Sequence, residues 1–151
     1  MEQSLSDTFY DTLSDVFEKM YFTVLEPLPG PPAPASQEEE YLEAAIAFRG
    51  EKSGTFRLLL PQPLARHITV NFLGLENEDV APGQILDTIK ETANMTGGSL
   101  LGKLDPQGKC ILGIPESRQL AGFLPPDSNG QVGLYAFESD FGLLWLLHES
   151  H

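Results

Sequence analysis

The sequence predicts an α+β fold with a mostly antiparallel sheet, because two hydrophobic periods occupy separate parts of the chain. Apolar residues recur at helical spacing over residues 6–24 and again over residues 83–101. Elsewhere the period is two, in four runs that form two pairs: 41–49 with 55–60, and 131–137 with 141–148. Each pair is joined by a short loop of turn-forming residues, which is typical of β-hairpins. Helices and hairpins in this order favour an antiparallel sheet packed with helices.

The composition is that of an ordinary globular protein with a strongly acidic surface. The 151 residues fit a single domain over 1–151, and 41% of them are hydrophobic. With 9 Lys and Arg against 22 Asp and Glu, the formal net charge is −13. Because such a surface repels nucleic-acid phosphates and anionic lipids, we expect neither nucleic acid nor a membrane as a partner. No signal-peptide pattern is present, so the expected location is the cytoplasm.

The first predicted helix spans residues 6–24. Ser4 or Ser6 can cap it, and Asp7 lies in the first turn, where a negative charge is favourable. A core-facing stripe is expected at helical spacing: Phe9, Leu13, Val16, Phe17, Met20 and Val24. The following residues 27–37 contain repeated prolines and are expected to form an extended linker, or alternatively a ligand for a Pro-recognition domain.

The remaining predicted elements are a hairpin, a short helix, an acidic connection, the second long helix, a strand, a loop and a final hairpin. Their bounds are 41–60, 64–73, 75–82, 83–101, 109–114, 122–130 and 131–148. Gly74 is expected to end the short helix, and Pro115 to end the single strand.

The helix over residues 83–101 divides into two faces. At about 100° per residue, Glu91, Asn94 and Gly98 fall within about 40° of Asp87. The opposite face is uncharged and is expected to meet the core: Ile85, Ile89, Thr92, Ala93, Thr96 and Leu100. The sequence therefore predicts that Asp87, Glu91, Asn94 and Gly98 point away from the protein.

The outward face has an unusual composition for a solvated helix surface. Asn is a poor helix former, and a Gly costs about 0.8–1.0 kcal/mol relative to Ala inside a helix. This helix nevertheless contains Asn94, Gly97 and Gly98 within five residues. A functional surface explains this composition. Three alternatives stay open: an ordinary solvated face, close packing against the glycines, or a helix that ends near Asn94.

This helix resembles the signature helix of the CheC/CheX/FliY phosphatases. Members of that family have Ser or Asp, then Glu four residues later, Asn three residues further, and a Pro downstream. The matching residues here are Asp87, Glu91, Asn94 and Pro115, and Glu91-Thr92-Ala93-Asn94-Met95-Thr96-Gly97-Gly98 is close to the CheX form. The resemblance extends over about residues 41–148, because the order of helices and strands also fits.

A weaker match lies in the first helix. Ser14 and Glu18 align with Asp87 and Glu91, while Tyr21 stands where the second helix has its asparagine. CheC-type members carry two active helices in pseudo-symmetric halves, whereas CheX-type members keep one. The resemblance therefore implies a CheC-like fold with two long helices at pseudo-symmetric positions, of which only the second has the complete motif.

The resemblance implies a protein phosphatase that hydrolyses aspartyl phosphate on a CheY-like response regulator. It implies Glu91 and Asn94 as the catalytic residues, with Asn94 positioning the attacking water. The residues implied in partner binding are Asp87, Met95, Gly98 and Pro115. Mg²⁺ is expected on the response regulator, so no cofactor is expected in this chain. No His, Cys and carboxylate set has metal-ligand spacing, and no metal site is expected.

The resemblance also implies further partners. CheX relatives pair through their sheets, so a homodimer is expected, and a CheD-like modulator is a candidate. The apolar run 141–147 suits such an interface, or equally a strand that is buried on both faces. The alternative function is a non-catalytic module that binds a response regulator or a flagellar-switch protein through the same face.

Overall fold

The computed structural model describes residues 4–28, 40–122, 126 and 130–151. In chain order its elements are α1 (Leu5–Tyr21), β1 (Glu26–Leu28), β2 (Tyr41–Gly50), β3 (Gly54–Pro61), α2 (Gln62–Leu73), a 3₁₀ turn (Asn77–Asp79), α3 (Pro82–Leu104), β4 (Cys110–Leu112), β5 (Glu116–Leu120), β6 (Val132–Ser139) and β7 (Gly142–Ser150). This order confirms the predicted α+β fold class. No helix in the described part of the chain is long and apolar enough to cross a membrane.

The seven described strands form one antiparallel sheet. Its order is β1-β6-β7-β3-β2-β4, and β5 also pairs with β2. The two short strands β4 and β5 follow one another along the same edge, since β4 lies against residues 48–50 of β2 and β5 against residues 41–45. Both predicted hairpins, β2–β3 and β6–β7, are present, and β7 joins them by pairing with β3.

The main core lies between the three helices and one face of the sheet. Alternate residues of β2 and β3 supply the sheet side, among them Leu42, Ala44, Ile46, Phe56, Leu58 and Leu60. The helices supply a matching set, among them Phe9, Leu13, Phe17, Ile68, Ile85, Ile89 and Ala93. Each fully buried Leu, Ile or Phe contributes about 1.5–3 kcal/mol of transfer free energy, so this layer fixes where α3 sits.

The opposite face of the sheet carries a smaller apolar cluster beside a charge network. Tyr41, Leu59 and Trp145 form the centre of the apolar cluster and are almost completely buried. The buried carboxylate of Glu43 accepts hydrogen bonds from Arg57 and Arg118, which satisfy its charge.

Strand β7 is buried on both faces of the sheet. Leu144 and Leu146 belong to the main core, whereas Trp145 and Leu147 belong to the cluster on the other face. The apolar run 141–147 is therefore explained within one chain, as a strand with two buried faces. It supplies no separate support for the expected homodimer, which stays a prediction.

Helix α1 ends at Tyr21 instead of the predicted residue 24. Phe22 takes the left-handed conformation, with φ 53° and ψ 36°, and its backbone N–H and that of Thr23 both donate to the carbonyl of Phe17. The predicted stripe was right for Phe9, Leu13 and Phe17, which are buried. It was wrong for Met20 and Val24, which are exposed, because Tyr21 occupies the inner position in the last turn and Val24 lies beyond the end of the helix.

Two further segments differ from the sequence prediction. Pro27 and Leu28 were expected in the linker 27–37, but they lie in β1, where Pro27 stands opposite Phe137 in an edge strand that tolerates proline. Residues 29–39 lie outside the described part of the chain, as does most of the predicted loop 122–130. Strand β5 was not predicted, because residues 116–119 are all polar and show no period-two alternation of apolar residues.

Candidate functional site

Helix α3 is placed by contacts at both of its ends. At its start the side-chain oxygen of Gln84 accepts a hydrogen bond from the backbone N–H of Ala81 at 2.8 Å, and Pro82 occupies the first turn. At its end Asp105 accepts hydrogen bonds from the backbone N–H groups of Lys109 and Cys110, at 3.0 and 2.7 Å. The helix is therefore continuous through Asn94, and the alternative that it ends there is wrong.

The two faces of α3 are those that its sequence predicts. All six residues assigned to the inner face are buried: Ile85, Ile89, Thr92, Ala93, Thr96 and Leu100. The four residues assigned to the outer face are exposed: Asp87, Glu91, Asn94 and Gly98. We call these four residues the outer strip.

The side chains of Glu91 and Asn94 have no bonding partner among the described residues. Within the described residues neither makes a hydrogen bond or an ion pair, and both are exposed one turn apart on the same helix. Asp87 lies 3.6 Å from the amine of Lys90, in an exposed pair that contributes at most about 1 kcal/mol. The outer strip thus offers a carboxylate and a carboxamide that can bind a second molecule without breaking internal contacts.

Gly97 and Gly98 differ in their surroundings. A Cβ atom on Gly97 would lie 2.7 Å from Cγ2 of Ile46, so Gly97 allows α3 to pack closely on β2. A Cβ atom on Gly98 would have its nearest neighbour, Cδ2 of Leu112, at 3.9 Å, which is ordinary contact. Close packing therefore explains Gly97, as one of the sequence-based alternatives proposed, but it does not explain Gly98.

The segment between β4 and β5 borders one side of the outer strip. The side chain of Leu112 lies beside Gly97 and Gly98, and the hydroxyl of Ser117 donates to the carbonyl of Leu86 at 3.0 Å. Residues 112–117 therefore run alongside α3 in the opposite direction. Pro115 is half-buried between these two contacts, beside the middle of the strip, and the neighbouring Ile114 is 87% exposed.

The C-terminal end of α1 borders the other side of the outer strip. The hydroxyl of Tyr21 lies 2.5 Å from that of Thr92, which in turn donates to the carbonyl of Thr88. Burial, together with the nearby charge of Glu91, raises the pKa of Tyr21 to about 12, although the bond to Thr92 opposes this shift. Tyr21 is thus a neutral structural link between α1 and α3.

The partial motif in α1 does not form a second outer strip. Glu18 is exposed, but Ser14 is half-buried and Tyr21 is fully buried. The position that corresponds to Asn94 therefore faces the core of the protein. Among the described residues, only α3 presents the acid and the amide together.

One predicted partner-binding residue is less accessible than the outer strip, and one structural contact of the strip was not predicted. Met95, predicted to bind a partner, is half-buried and packs against the main core, so only part of its side chain is accessible. The hydrogen bond between the hydroxyls of Tyr21 and Thr92, which links α3 to α1, was not recognised. A threonine inside a helix often donates to the carbonyl four residues earlier, as Thr92 does to Thr88, but this local pattern does not reveal a second partner on another helix.

The fold and the site together define an α+β protein of the CheC-like type with one complete Glu-x-x-Asn helix. The family model described as "Chemotaxis phosphatase CheX" matches residues 42–137, more than half of the chain. The chain therefore belongs to the CheX chemotaxis phosphatase family. The comparison with curated proteins found no match.

Solved structures share the fold over almost the whole chain. Chemotaxis protein CheX from Vibrio vulnificus has a TM-score of 0.79 at 19% identity, covering 100% of this chain and 99% of its own. A CheC-like superfamily protein from Shewanella sp. PV-4 has a TM-score of 0.77 at 20% identity, covering 99% of both chains. A chain of the CheX–CheY–BeF₃–Mg²⁺ complex from Borrelia burgdorferi has a TM-score of 0.72 at 12% identity, covering 99% of both chains. At these identities the likeness concerns the fold.

Proposed function

We propose that this protein hydrolyses aspartyl phosphate on a CheY-like response regulator. Its membership of the CheX chemotaxis phosphatase family supports the reaction. The complex of a structurally similar CheX with CheY, BeF₃ and Mg²⁺ supports the choice of partner. The observation that carries the proposal is the exposure of Glu91 and Asn94 on one face of α3, with no bond to the rest of the described chain.

In this proposal Asn94 positions the attacking water. A phosphorylated receiver domain holds its phosphoryl group with Mg²⁺ and a lysine, so most of the charge stabilisation is already in place. A water held in line with the departing aspartate lowers the entropic part of the barrier. The carboxamide of Asn94 suits this role because it offers two donors and an acceptor without a charge. A carboxylate there would repel the phosphoryl oxygens.

The reaction needs no covalent intermediate on this chain. The water oxygen bonds to phosphorus as the bond from phosphorus to the partner's aspartate breaks. The products are inorganic phosphate and the free carboxylate. All the chemistry therefore happens in the partner's active site, and this chain inserts the group that the partner lacks.

Glu91 fixes the register of the complex by pairing with the partner's lysine. Exclusion of water at the interface would strengthen this pair. Gly98 allows the partner's backbone to approach α3, which fits its open surroundings. Asp87, the accessible part of Met95 and Pro115 complete the contact surface around the two central residues.

The test is phosphate release from a phosphorylated CheY-like receiver domain. Asn94→Ala should lower kcat by about 100-fold, because the water loses its positioning, and should leave binding largely intact. Glu91→Ala should mainly weaken the complex, by about tenfold or more. Ser99→Ala is the matched control, since Ser99 is exposed on the same helix but about 140° away from Asn94.

Two results would contradict parts of this proposal. An unchanged rate for Asn94→Ala would exclude the water-positioning role. Binding of the receiver by the wild-type protein, without any phosphate release, would instead identify a non-catalytic binding module that uses the same face. A binding measurement and a phosphate-release measurement on the same samples separate these outcomes.

A further inference from the structure

Phe22 adopts a backbone conformation that its residue type disfavours. Its φ of 53° lies in the left-handed region, where a bulky side chain is strained. Helix α2 ends in the same way but uses Gly74, with φ 66°, which meets no steric penalty there. Helix α1 therefore ends on an aromatic residue at a position where glycine or asparagine would be less strained.

The strain at Phe22 is not offset by packing against the described residues. Its side chain is 82% exposed, although it is one of the largest apolar side chains. Strained residues are found where another requirement holds them in place, and functional surfaces are the usual locations. The aromatic ring of Phe22 is therefore available for contact with a second molecule.

Phe22 belongs to a larger exposed apolar surface at the C-terminal ends of α1 and α2. The ring of Phe72 packs edge-on against that of Tyr21 at 5.8 Å, and the amide of Asn71 donates to the carbonyl of Tyr21 at 2.7 Å. These contacts bring the end of α2 beside Phe22. Four of the exposed apolar residues at these two helix ends form what we call the apolar flank: Phe22, Val24, Phe72 and Leu73.

The apolar flank adjoins the outer strip of α3. Tyr21, which precedes Phe22, bonds to Thr92, and Thr92 is the next residue after Glu91. The charge of Glu91 is felt at the Tyr21 hydroxyl. The flank therefore borders the strip on its Glu91 side, opposite Pro115.

Besides the local pairing of Glu91, a partner that binds the outer strip needs an attraction that can offset long-range charge repulsion. This chain has a formal net charge of −13, and the phosphorylation site of a receiver domain is itself acidic. Long-range charge therefore opposes the encounter. Exposed aromatic side chains next to a polar centre are the residues that most often dominate binding free energy.

We infer that the apolar flank is a second affinity-determining surface for the response regulator, in addition to Glu91, and that it docks on apolar side chains beside the receiver's phosphorylation site. This inference rests on the proposed function for the identity of the partner. The outer strip supplies the water-positioning Asn94 and the register contact of Glu91. The apolar flank adds apolar contact area that takes no part in the chemistry.

The test is substitution of Phe22 by Asn, with Phe22→Gly as a second variant. Both replacements relieve the left-handed strain, so the thermal midpoint should be equal to or above that of the wild type. Binding to a CheY-like receiver activated with beryllofluoride and Mg²⁺ should weaken by about tenfold. In phosphate release, KM should rise by a similar factor while kcat stays within about twofold.

Leu5→Gln is the matched control, because Leu5 is also an exposed apolar residue of α1. It lies at the other end of the helix, about 24 Å from Tyr21 at 1.5 Å per residue. This variant should bind the receiver like the wild type. If binding depended only on total surface hydrophobicity, Phe22→Asn and Leu5→Gln would weaken it equally. That result would overturn the inference.

The outcomes separate this inference from the proposed function. If the wild-type protein binds the receiver and Phe22→Asn binds equally well, the inference is wrong and the phosphatase proposal stands. If the wild-type protein binds without hydrolysis and Phe22→Asn weakens that binding, the inference stands and the catalytic proposal fails. If the wild-type protein binds no receiver, both are overturned.

Discussion

Gly97 and Gly98 are adjacent on α3 and have different surroundings, which makes them a matched pair for experiment. Gly97→Ala should lower the free energy of unfolding by about 1–2 kcal/mol, because the new methyl group would collide with Ile46. Gly98→Ala should raise it by up to about 1 kcal/mol, since Ala is the better helix former and nothing obstructs it. Urea denaturation of both variants checks this prediction.

The same pair of variants also separates stability from function. If Gly98 allows the partner to approach, Gly98→Ala should raise KM for the phosphorylated receiver although the protein is more stable. Gly97→Ala should leave KM unchanged at temperatures where it is folded. An unaltered KM for Gly98→Ala would show that the partner's backbone does not approach at this point.

At the scale of single residues, the sequence was most informative where one helix has two clearly different faces. The inner and outer sets of α3 were all assigned correctly, because the 3.6-residue period separates Ile85 and Ile89 from Glu91 and Asn94. Tyr21 was predicted only as a position in a motif. Its burial depends on a bond to Thr92, 71 positions away, which no local pattern reveals.

At the scale of elements, strand β7 carries a half-buried titratable group. The ring of His148 stacks between those of Phe9, Phe48 and Phe56, with centroids 5.2, 6.2 and 5.3 Å away. Burial lowers the pKa of His148 from its ordinary value of 6.5. The folded protein therefore binds fewer protons here than the unfolded chain does, and it favours the neutral imidazole.

The sign of the pH dependence follows from this lowered pKa. The stability that depends on neutral His148 is fully present above pH 6.5, the unfolded value, and is lost as pH falls through the lower folded value. His67, whose pKa is also lowered, mainly by burial and against the nearby charge of Asp140, adds to the same trend. Thermal midpoints should therefore fall as the pH is lowered from 7.

His148→Phe provides the measurement for this prediction. It keeps an aromatic ring in the stack and removes the titrating group. The variant should lose less stability than the wild type between pH 7 and the onset of carboxylate titration. Parallel pH profiles for the two proteins would assign the trend to other groups.

The elements that the sequence missed are those whose character depends on their neighbours. Strand β5 has exposed polar residues, and it becomes a strand because β2 offers a free edge and Glu43 offers a partner for Arg118. The end of α1 was placed too late, because the apolar residues Met20 and Val24 continue the helical pattern although both are exposed. The hydrophobicity of neighbouring residues in the sequence does not distinguish an apolar residue that packs in the core from one that is exposed.

At the scale of the whole molecule, the net charge of −13 predicts how association depends on salt. Two acidic surfaces repel each other, and the screening length falls from about 30 Å at 0.01 M salt to about 10 Å at 0.1 M. The association rate with the phosphorylated receiver should therefore rise several-fold over this range. Stopped-flow mixing at a series of salt concentrations measures it.

A charge-reduced variant is the control for the salt prediction. Glu76, Glu78 and Asp79 are exposed in the connection before α3, and replacing all three by their amides removes three negative charges without touching the outer strip. This variant should associate faster at low salt and show a flatter salt dependence. A rate that falls with salt in the wild-type protein would mean that attraction, not repulsion, governs the encounter.

The position of β7 in the sheet has a consequence for synthesis on the ribosome. This strand is the last element in chain order, yet it lies between β6 and β3 and connects the two hairpins. A nascent chain that has emerged only as far as α3 possesses the Glu91–Asn94 helix but lacks the strand that holds both parts of its supporting sheet together. We therefore expect this helix to be synthesised well before the protein can use it. The protein should become active only after β7 has left the exit tunnel.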